Sequence, residues 1–286
     1  MLRQIYSGLI RQSFVRKAVL STPGVRQLAW QFVAGENLEA GVAALRALNA
    51  RGMQGSLNYV GTHVHDRVEA VAAADAALAA IERIQADRLD ADVSIKPTQL
   101  GLDIDEAFCR EQLRRVIGRA RTCGVFVRID MEESQYVEVT LRLFEELRDE
   151  FGPETVGIVI QSYLRNRSSD LARVLDGRGR VRLCKGGYLE PATVTYRQKA
   201  DIDRCFGRDL ELLRARGVQP AIATHDPVFI TRAKQWGRSD FSFEMLYGVR
   251  PELQEQLVRE GYRVRCYVPY GGQWFAYFLG CVRRML

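Results

Sequence analysis

Short apolar, β-branched segments alternate with longer amphipathic segments along the chain from about residue 36 onward. The short segments have the length and composition of β-strands. Eight of them are present: SLNYVG from Ser56, DVSIKP from Asp92, GVFVRIDM from Gly124, VGIVIQSY from Val156, VRLCKGGY from Val181, PAIATHD from Pro220, FSFEMLYG from Phe241 and YRVRCYVPY from Tyr262. In the longer segments apolar residues recur about every 3.6 positions, which predicts helices over residues 38–49, 67–84, 105–122, 134–150 and 192–216.

Strands that alternate with helices of this length predict βαβ units and a parallel sheet. Eight such units close most economically into a single (β/α)8 barrel, here over residues 36–286. A doubly wound open sheet is the alternative, but a glycine-rich phosphate turn would normally follow its first strand. The first strand instead runs into Gly61-Thr62-His63, and the chain contains no GxGxxG motif. No Pro-, Gly- or Ser-rich linker indicates a second domain.

The first 35 residues are basic and contain no Asp or Glu. Leu2, Ile5 and Leu9 fall on one face at helical spacing, so residues 1–35 are predicted to form an N-terminal helical cap. A transit peptide is the alternative interpretation of the same basic composition. No continuous apolar region follows the basic start, and a secretory signal is therefore not expected.

Composition narrows the class of protein further. No apolar run approaches the roughly 18 residues of a membrane-spanning helix. The formal charge of +6 is modest and spread along the chain, which does not indicate nucleic-acid binding but suits weak attraction to an anionic membrane surface. The six cysteines form no CxxC pair, which predicts a reducing cytoplasmic setting without a disulfide framework. The three histidines form no HExxH motif, and no metal site is predicted.

Polar residues interrupt six of the eight predicted strands near their carboxyl ends. They are Lys96, Asp130, Gln161 with Tyr163, Lys185 with Tyr188, His225 with Asp226, and Tyr267. One such residue is often an ion pair inside a barrel, but six strands with polar ends indicate an active site, because buried charges must be paired or used. The reaction stays open at this point. A strand lysine could form a Schiff base, bind a phosphate or support a flavin.

Several segments at these strand ends resemble the proline dehydrogenase family, in the family's order. They are FVAGENLEAGVAALRALNARG, SIKPTQLGLDID, RIDMEES, IQSYLRNRSSDL, RLCKGGYLEP, IATHDP and FEMLYGVRPELQEQLVREGYRVRCYVPYG. The resemblance covers about Phe32 to about Tyr277. It implies a flavoenzyme on a distorted barrel with a C-terminal helix packed over the active site. Such an enzyme uses FAD to oxidise L-proline to Δ1-pyrroline-5-carboxylate and passes electrons to a membrane quinone. It would be cytoplasmic, with peripheral contact at the inner face of the membrane.

The resemblance also implies roles for individual residues. The cofactor-binding residues would be Gln161, Arg182, Lys185, Thr224 and His225. The catalytic residues would be Lys96, Asp130, Tyr188 and Tyr267, with the first two paired beside the substrate ring. Leu183 would pack against that ring, and hydride would pass from the ring carbon next to nitrogen to the flavin. Holding those two atoms close is most of what the protein must supply.

The sequence departs from the family at the C-terminal pair of arginines that clamps the substrate carboxylate. The expected positions hold Gly280 and Cys281, and an arginine pair occurs three residues later, at Arg283 and Arg284. On a straight helix this is a shift of about 4.5 Å and a rotation of about −60°. A small insertion could restore the clamp. Otherwise the substrate is another small carboxylate-bearing amine, imine or hydrazine. A flavin-free Schiff-base enzyme and a non-catalytic homologue are further alternatives.

Overall fold

The protein's structure, a computed structural model, describes residues 23–165, 167–237 and 241–285. Within these ranges eight parallel strands close into a barrel in chain order. The strands are β1 Gln54–Tyr59, β2 Ala91–Ile95, β3 Val127–Ile129, β4 Val156–Gln161, β5 Arg180–Cys184, β6 Ala221–Ala223, β7 Ser242–Leu246 and β8 Arg263–Tyr270. The helices are α1 Pro23–Ala29, α2 Leu38–Asn49, α3 Arg67–Ala86, α4 Glu106–Cys123, α5 Val137–Phe151, α6 Ser168–Asp176, α7 Lys199–Arg216, α8 Pro227–Lys234, α9 Pro251–Arg259 and α10 Trp274–Met285.

The predicted (β/α)8 barrel is confirmed, and each predicted strand is present with ends shifted by a few residues. One helix was predicted too long, because α7 begins at Lys199 and not at residue 192. Leu164 and Thr195 form an isolated β-bridge, and Arg165 Nε donates to the Thr195 carbonyl at 3.0 Å. These contacts hold the segment before α7 against the loop after β4, so it does not join the helix.

Asparagine and aspartate side chains set the start of four helices, α2, α3, α4 and α8. The capping residues are Asn37, Asp66, Asp105 and Asp226. In each case a side-chain oxygen accepts a backbone N–H of the first turn, which contributes about 1 kcal/mol to helix stability. Three of these caps end loops on the carboxyl side of the barrel, so they also fix the loops that border the strand ends.

Side chains alternate between the two faces of the barrel wall, as they do in any strand. Outward residues such as Ile129, Leu183 and Phe243 lie in one hydrophobic cluster with Phe144 of α5 and Phe206 of α7. All five are 0% exposed. The inward positions of β1, β2, β5, β7 and β8 are largely polar or charged. The apolar core therefore lies between the strands and the helices, and the inside of the barrel is available for polar chemistry.

The last helix closes the carboxyl end of the barrel. Trp274, Phe275 and Phe278 of α10 form a small buried cluster with Val60, at the end of β1, and with Ala29 of α1. On the outside of the barrel, the helix that packs against β1 and β8 is α2, which precedes β1. The C-terminal helix therefore packs over the barrel mouth, as the resemblance implies.

The N-terminal cap can be compared with the structure only in part. Residues 1–22, which include Leu2, Ile5 and Leu9, lie outside the described residues. The helix α1 and the segment after it do lie against the barrel, because Ala34 N–H donates to the Pro269 carbonyl at 2.9 Å. All six cysteines lie in the described ranges, and no disulfide joins any two of them. In the described ranges, no helix combines the length and the apolar character needed to cross a bilayer.

Truncation of Phe144 to alanine should destabilise the protein by about 3–5 kcal/mol, because the ring fills the core between α5 and the strands. The free energy of unfolding in urea measures this change. Val68→Ala is the control, since Val68 is 77% exposed and its loss should change stability by less than about 0.5 kcal/mol. A loss below about 1 kcal/mol for Phe144→Ala would contradict the described packing.

Candidate active site

The guanidinium of Arg182 lies at the centre of the barrel and binds residues from four other strands or their ends. Its Nη1 donates to Ser94 Oγ and to Asp130 Oδ1, each at 3.0 Å, and its Nη2 donates to Ser56 Oγ at 3.2 Å. Its Nε donates to Glu244 of β7. Burial opposes the charge on Arg182, but Glu244 and Asp130 outweigh burial and raise its pKa. Arg182 is therefore a fixed cation that is 5% exposed.

Lys96, Asp130 and Tyr267 form a closed triangle above Arg182. Lys96 Nζ lies 3.0 Å from Asp130 Oδ2 and donates to the Tyr267 hydroxyl at 3.0 Å. The Tyr267 hydroxyl donates to Asp130 Oδ2 at 2.8 Å. The structure brings these three predicted residues together. Two of them follow the last residues of β2 and β3, whereas Tyr267 lies three residues before the end of β8.

The charges in this triangle are fixed by their neighbours. Burial favours neutral Lys96, but the Asp130 carboxylate outweighs burial and raises the lysine's pKa. Burial likewise favours a neutral Asp130, but Lys96 and Arg182 outweigh it and lower the aspartate's pKa. At neutral pH the site presents an ammonium and a carboxylate side by side. Such a pair can hold a small zwitterion, but its lysine is a weak nucleophile.

Gln161, the last residue of β4, carries an unused acceptor at the same end of the barrel. Its Nε2 donates to the Met131 carbonyl at 3.1 Å, which fixes the orientation of the amide. Its Oε1 is buried and accepts no hydrogen bond from the residues that the structure describes. A buried polar atom of this kind costs free energy unless it finds a partner, so a ligand with an N–H group would suit it.

Lys185 follows β5 and is held between two carboxylates. Its Nζ lies 2.5 Å from Asp203 Oδ1 of α7 and 2.7 Å from Asp226 Oδ2 at the start of α8. It also lies 4.7 Å from the centre of the Phe229 ring. The charge of Lys185 is thus compensated by the protein itself.

Thr224 and His225 follow β6 and take part in its loop. Thr224 Oγ1 accepts the Asp226 N–H at 3.1 Å, and His225 Nε2 accepts the Leu246 N–H at 3.0 Å. The histidine therefore joins the ends of β6 and β7. Lys185, Thr224 and His225 thus follow adjacent strands, β5 and β6, at the carboxyl end of the barrel.

Tyr188 lies in the loop after β5. Burial raises the pKa of its phenol well above the usual range, and the nearby charges of Glu132 and Lys96 also affect it. Its role at the site stays a prediction.

Leu183 is a correction to the predicted site. The side chain is 0% exposed and belongs to the hydrophobic cluster outside the barrel. The neighbouring Arg182 points inward, and alternation along β5 sends Leu183 to the opposite face. A substrate in the barrel mouth would therefore not contact this leucine.

The predicted arginine clamp cannot be compared with the structure. The backbone of α10 runs through Arg283 and Arg284. The side chains of both residues lie outside the described part of the chain. Their role stays a prediction.

Sequence reasoning missed the polar residues inside the strands, including Ser56, Ser94 and Glu244. The alternation of residue types along the strands does contain a signal for these polar residues. Along β2 and the residue that follows it, Asp92, Ser94 and Lys96 alternate with Val93 and Ile95. A period of two with charged residues on one face normally marks a solvated face. Here both faces are buried, so the pattern marks a polar barrel interior.

Glu132 is a second residue that the sequence did not reveal. It is 0% exposed, and burial raises its pKa to about 7. Thr98 donates to it twice, through its backbone N–H at 2.9 Å and its hydroxyl at 2.6 Å. The pair ties the loop after β2 to the loop after β3.

His63 joins three loops at the barrel mouth. Its Nδ1 lies 2.9 Å from Asp103 Oδ2, and its Nε2 lies 3.1 Å from Glu133 Oε1. The Tyr136 ring lies beside it, with ring centres 5.9 Å apart. The hydrogen bond to Glu133 outweighs burial and, together with Asp103, raises the pKa of His63 to about 9. His63 is thus a cationic link between the loops after β1, β2 and β3.

Comparison with known proteins gives consistent matches over nearly the whole chain. The sequence model of the family described as Proline dehydrogenase matches residues 42–285. The proline dehydrogenase of Deinococcus radiodurans is 41% identical over 283 residues, which covers 92% of this chain and 91% of that protein. Proline dehydrogenase 1 of Bacillus subtilis is 36% identical over 285 residues, covering 98% of this chain and 93% of that protein.

Solved structures of proline utilization A (PutA) share the fold. The structure from Bdellovibrio bacteriovorus, inactivated by N-propargylglycine, has a TM-score of 0.83 at 24% identity and covers 90% of this chain. The structure from Corynebacterium freiburgense has a TM-score of 0.77 at 25% identity and covers 99% of this chain. This chain spans about a third of the length of those longer proteins, 32% and 33% respectively.

The His63 link should make stability depend on pH. A group whose pKa is higher in the folded chain than in the unfolded chain stabilises the folded state. This stabilisation is largest at pH values where the group is protonated in both states. The contribution should be full below about pH 6.5 and lost as pH rises through about 9. Because the side chain is 36% exposed, about 1 kcal/mol is expected.

Urea unfolding at several pH values tests this expectation against His63→Gln. The variant should be less stable than the parent protein at low pH, and the difference should disappear at high pH. The exposed neighbour His65 supplies the control variant His65→Gln. Parallel stability curves for the parent and His63→Gln would contradict the link.

Proposed function

The chain belongs to the proline dehydrogenase family, and we propose that it is a flavin-dependent enzyme that oxidises L-proline to Δ1-pyrroline-5-carboxylate. The observation that carries this proposal is the triangle of Lys96, Asp130 and Tyr267 at the carboxyl end of the barrel. Catalytic groups of (β/α)8 enzymes lie at this end. The unused acceptor on Gln161 lies at the same end and supports a bound cofactor there.

FAD is the proposed cofactor, and it would supply the two-electron acceptor when bound. The fit rests on residues of this chain. Gln161 offers a buried acceptor to a ring N–H, and Arg182 places a permanent positive charge below it. A cation near a flavin ring favours its reduced, anionic form. Lys185, Thr224 and His225, grouped at the ends of β5 and β6, would hold the rest of the dinucleotide.

The substrate would lie against the charged triangle. The Asp130 carboxylate can accept a hydrogen bond from the amino group of proline, while the phenol of Tyr267, which contacts Lys96, and that of Tyr188 would border the substrate ring. The carboxylate of proline requires a separate cation, and a guanidinium pair suits that planar anion. Arg283 and Arg284 are the proposed pair. If these two arginines do not reach the carboxylate of proline, a different small carboxylate-bearing amine, imine or hydrazine is the substrate.

A flavin-free Schiff-base reaction has less support. Such a lysine must be unprotonated near neutral pH, which requires a lowered pKa. The Asp130 carboxylate instead raises the pKa of Lys96. Lys185 donates hydrogen bonds to two carboxylates, those of Asp203 and Asp226. Both candidate lysines are therefore held by carboxylates and are not poised to attack a carbonyl.

The electron acceptor and the location are proposed from the family. A membrane quinone would take the electrons, and the protein would work in the cytoplasm with peripheral contact at the membrane. The formal charge of +6 favours such contact with an anionic surface. Reduction of a soluble short-chain quinone by the proline-treated enzyme would test the acceptor, and its failure to be reduced would count against a quinone.

The visible absorption spectrum of the purified protein tests the proposed reaction directly. We expect flavin bands that bleach when L-proline is added without oxygen, because proline then supplies two electrons that no acceptor removes. Bleaching would also support an arginine clamp for the carboxylate. Flavin bands that persist with proline would move the search to other amines. No flavin spectrum, even after reconstitution with FAD, would contradict the proposal.

Tyr267→Phe should lower kcat/KM for proline by about 10- to 100-fold, because it removes the hydroxyl that orients both Lys96 and Asp130. Flavin absorbance should be retained. Tyr262→Phe is a matched control at the amino end of β8, where the hydroxyl donates only a long bond of 3.4 Å to the Lys234 carbonyl. Equal activities for the two variants would contradict a role for the triangle in catalysis.

A further inference from the structure

Glu132 and Thr98 form a buried pair that the proposed reaction does not use. Thr98 donates to the Glu132 carboxylate through its backbone N–H at 2.9 Å and through its hydroxyl at 2.6 Å. One residue thereby occupies both carboxylate oxygens, and both residues are 0% exposed. Because burial of a carboxylate costs free energy, stability alone does not account for the pair.

The pair lies one step beyond the candidate catalytic pair on the same two chain segments. Lys96 and Asp130 directly follow β2 and β3, and Thr98 and Glu132 each lie two residues further on. Only Pro97 separates the lysine from the threonine. A proline restrains the residue before it to extended backbone, as observed for Lys96 with φ −117° and ψ 128°. The connection is therefore stiff, and a displacement of the threonine is transmitted to the lysine.

The loop after β1 binds the remaining polar groups of Thr98. His63 N–H donates to the Thr98 hydroxyl oxygen at 3.1 Å, and Val64 N–H donates to the Thr98 carbonyl at 3.1 Å. Every backbone and side-chain polar group of the threonine is thus used, and Glu132 receives both of its donors. An unsatisfied buried donor costs about 1–3 kcal/mol, so loss of the carboxylate would favour a different position of the threonine.

The chain segments that carry the pair are fixed to the strand ends. The N–H of Gln99 donates to the Lys96 carbonyl at 3.1 Å, within a short 3-10 turn after β2. On the other segment, Gln161 Nε2 donates to the Met131 carbonyl at 3.1 Å. A shift of the turn therefore moves the backbone of the lysine, while the segment after β3 stays anchored to the end of β4.

The charge of Glu132 acts on the same lysine. Burial lowers the pKa of Lys96, whereas Asp130 and Glu132 raise it. The Glu132 carboxylate therefore favours the ammonium form of the lysine and also binds the segment that carries it.

We propose that Glu132 is a positioning residue for Lys96 and acts through Thr98. The two hydrogen bonds from the threonine fix the segment after β2, which holds the lysine within reach of Asp130 and Tyr267. With both oxygens occupied and no exposed surface, Glu132 is not itself a catalytic residue. The inference rests on the proposed oxidation of proline, because a displaced lysine would lower the rate of that reaction.

Crystal structures of the full chain and of two variants test the positioning directly. Thr98→Val removes the hydroxyl and keeps the shape of the side chain, whereas Glu132→Gln removes the charge and leaves one acceptor oxygen. In both variants we expect Lys96 Nζ at more than about 3.5 Å from Asp130 Oδ2, beyond hydrogen-bond distance, against 3.0 Å in the parent protein. The second variant keeps the test valid if the first does not fold. An unchanged distance in the folded variants would overturn the proposal.

Kinetics with proline and the FAD-loaded enzyme link the positioning to the reaction. Thr98→Val should lower kcat/KM about tenfold, and Thr98→Ser, which restores the hydroxyl, should recover at least about half of the parent value. Thr155→Val is the matched control, because Thr155 is also buried and its hydroxyl donates to the Phe151 carbonyl at 3.0 Å, just before β4. Its kcat/KM should stay within about twofold of the parent value. Equal losses in Thr98→Val and Thr98→Ser would count against the proposal.

The two measurements separate this inference from the proposed function. If the parent protein does not oxidise proline, the proposed function fails, and the distance between Lys96 and Asp130 in the variants still decides the role of Glu132. If proline is oxidised and that distance is unchanged in the variants, the inference about Glu132 fails alone.

Discussion

The ion pairs of Arg182 are the interaction on which the barrel interior depends. One buried guanidinium binds partners from β1, β2, β7 and the end of β3, so it joins five of the eight strands. A buried charge without a partner would cost several kcal/mol, whereas a paired one is close to neutral for stability. The network around Arg182 therefore contributes little to the stability of the fold. What it provides is a fixed pattern of charge, with Asp130 held ionised towards the carboxyl end and Glu244 held ionised towards the amino end.

Arg182 separates two regions of the barrel interior, one towards the carboxyl end of the strands and one towards their amino end. Above Arg182, Asp130 receives hydrogen bonds from Lys96 and Tyr267 and is nearly satisfied by the protein. Below it, Glu244 lies 3.7 Å from Arg128, and one of its oxygens accepts no hydrogen bond from the described residues. The upper region thus holds the paired charges of the candidate active site, whereas the lower region holds Glu244 between two guanidinium groups, those of Arg182 and Arg128.

The sequence predicted the fold well because the spacing of apolar residues differs clearly between strands and helices. The outward residues of the strands also form an apolar core. The strand ends were also informative, since Lys96, Asp130 and Gln161 each break a buried run. What the sequence could not reveal is which polar residues meet across the barrel. Ser94 and Glu244 are more than a hundred residues apart in the chain, yet both bind Arg182. The direction of Leu183 was misjudged for a related reason: adjacent strand residues face opposite sides, and only the neighbouring Arg182 fixes which side is the interior.

The barrel mouth is bordered by two kinds of contact, one apolar and one ionic. On the side of β8 and β1, α10 is held by apolar packing of Trp274 and Phe278 against Val60. On the side of β2 and β3 the contact is ionic, with His63 between Asp103 and Glu133. The two carboxylates alone would repel each other, and the cationic imidazole between them turns that repulsion into attraction, so one charge orders the loops after β1, β2 and β3.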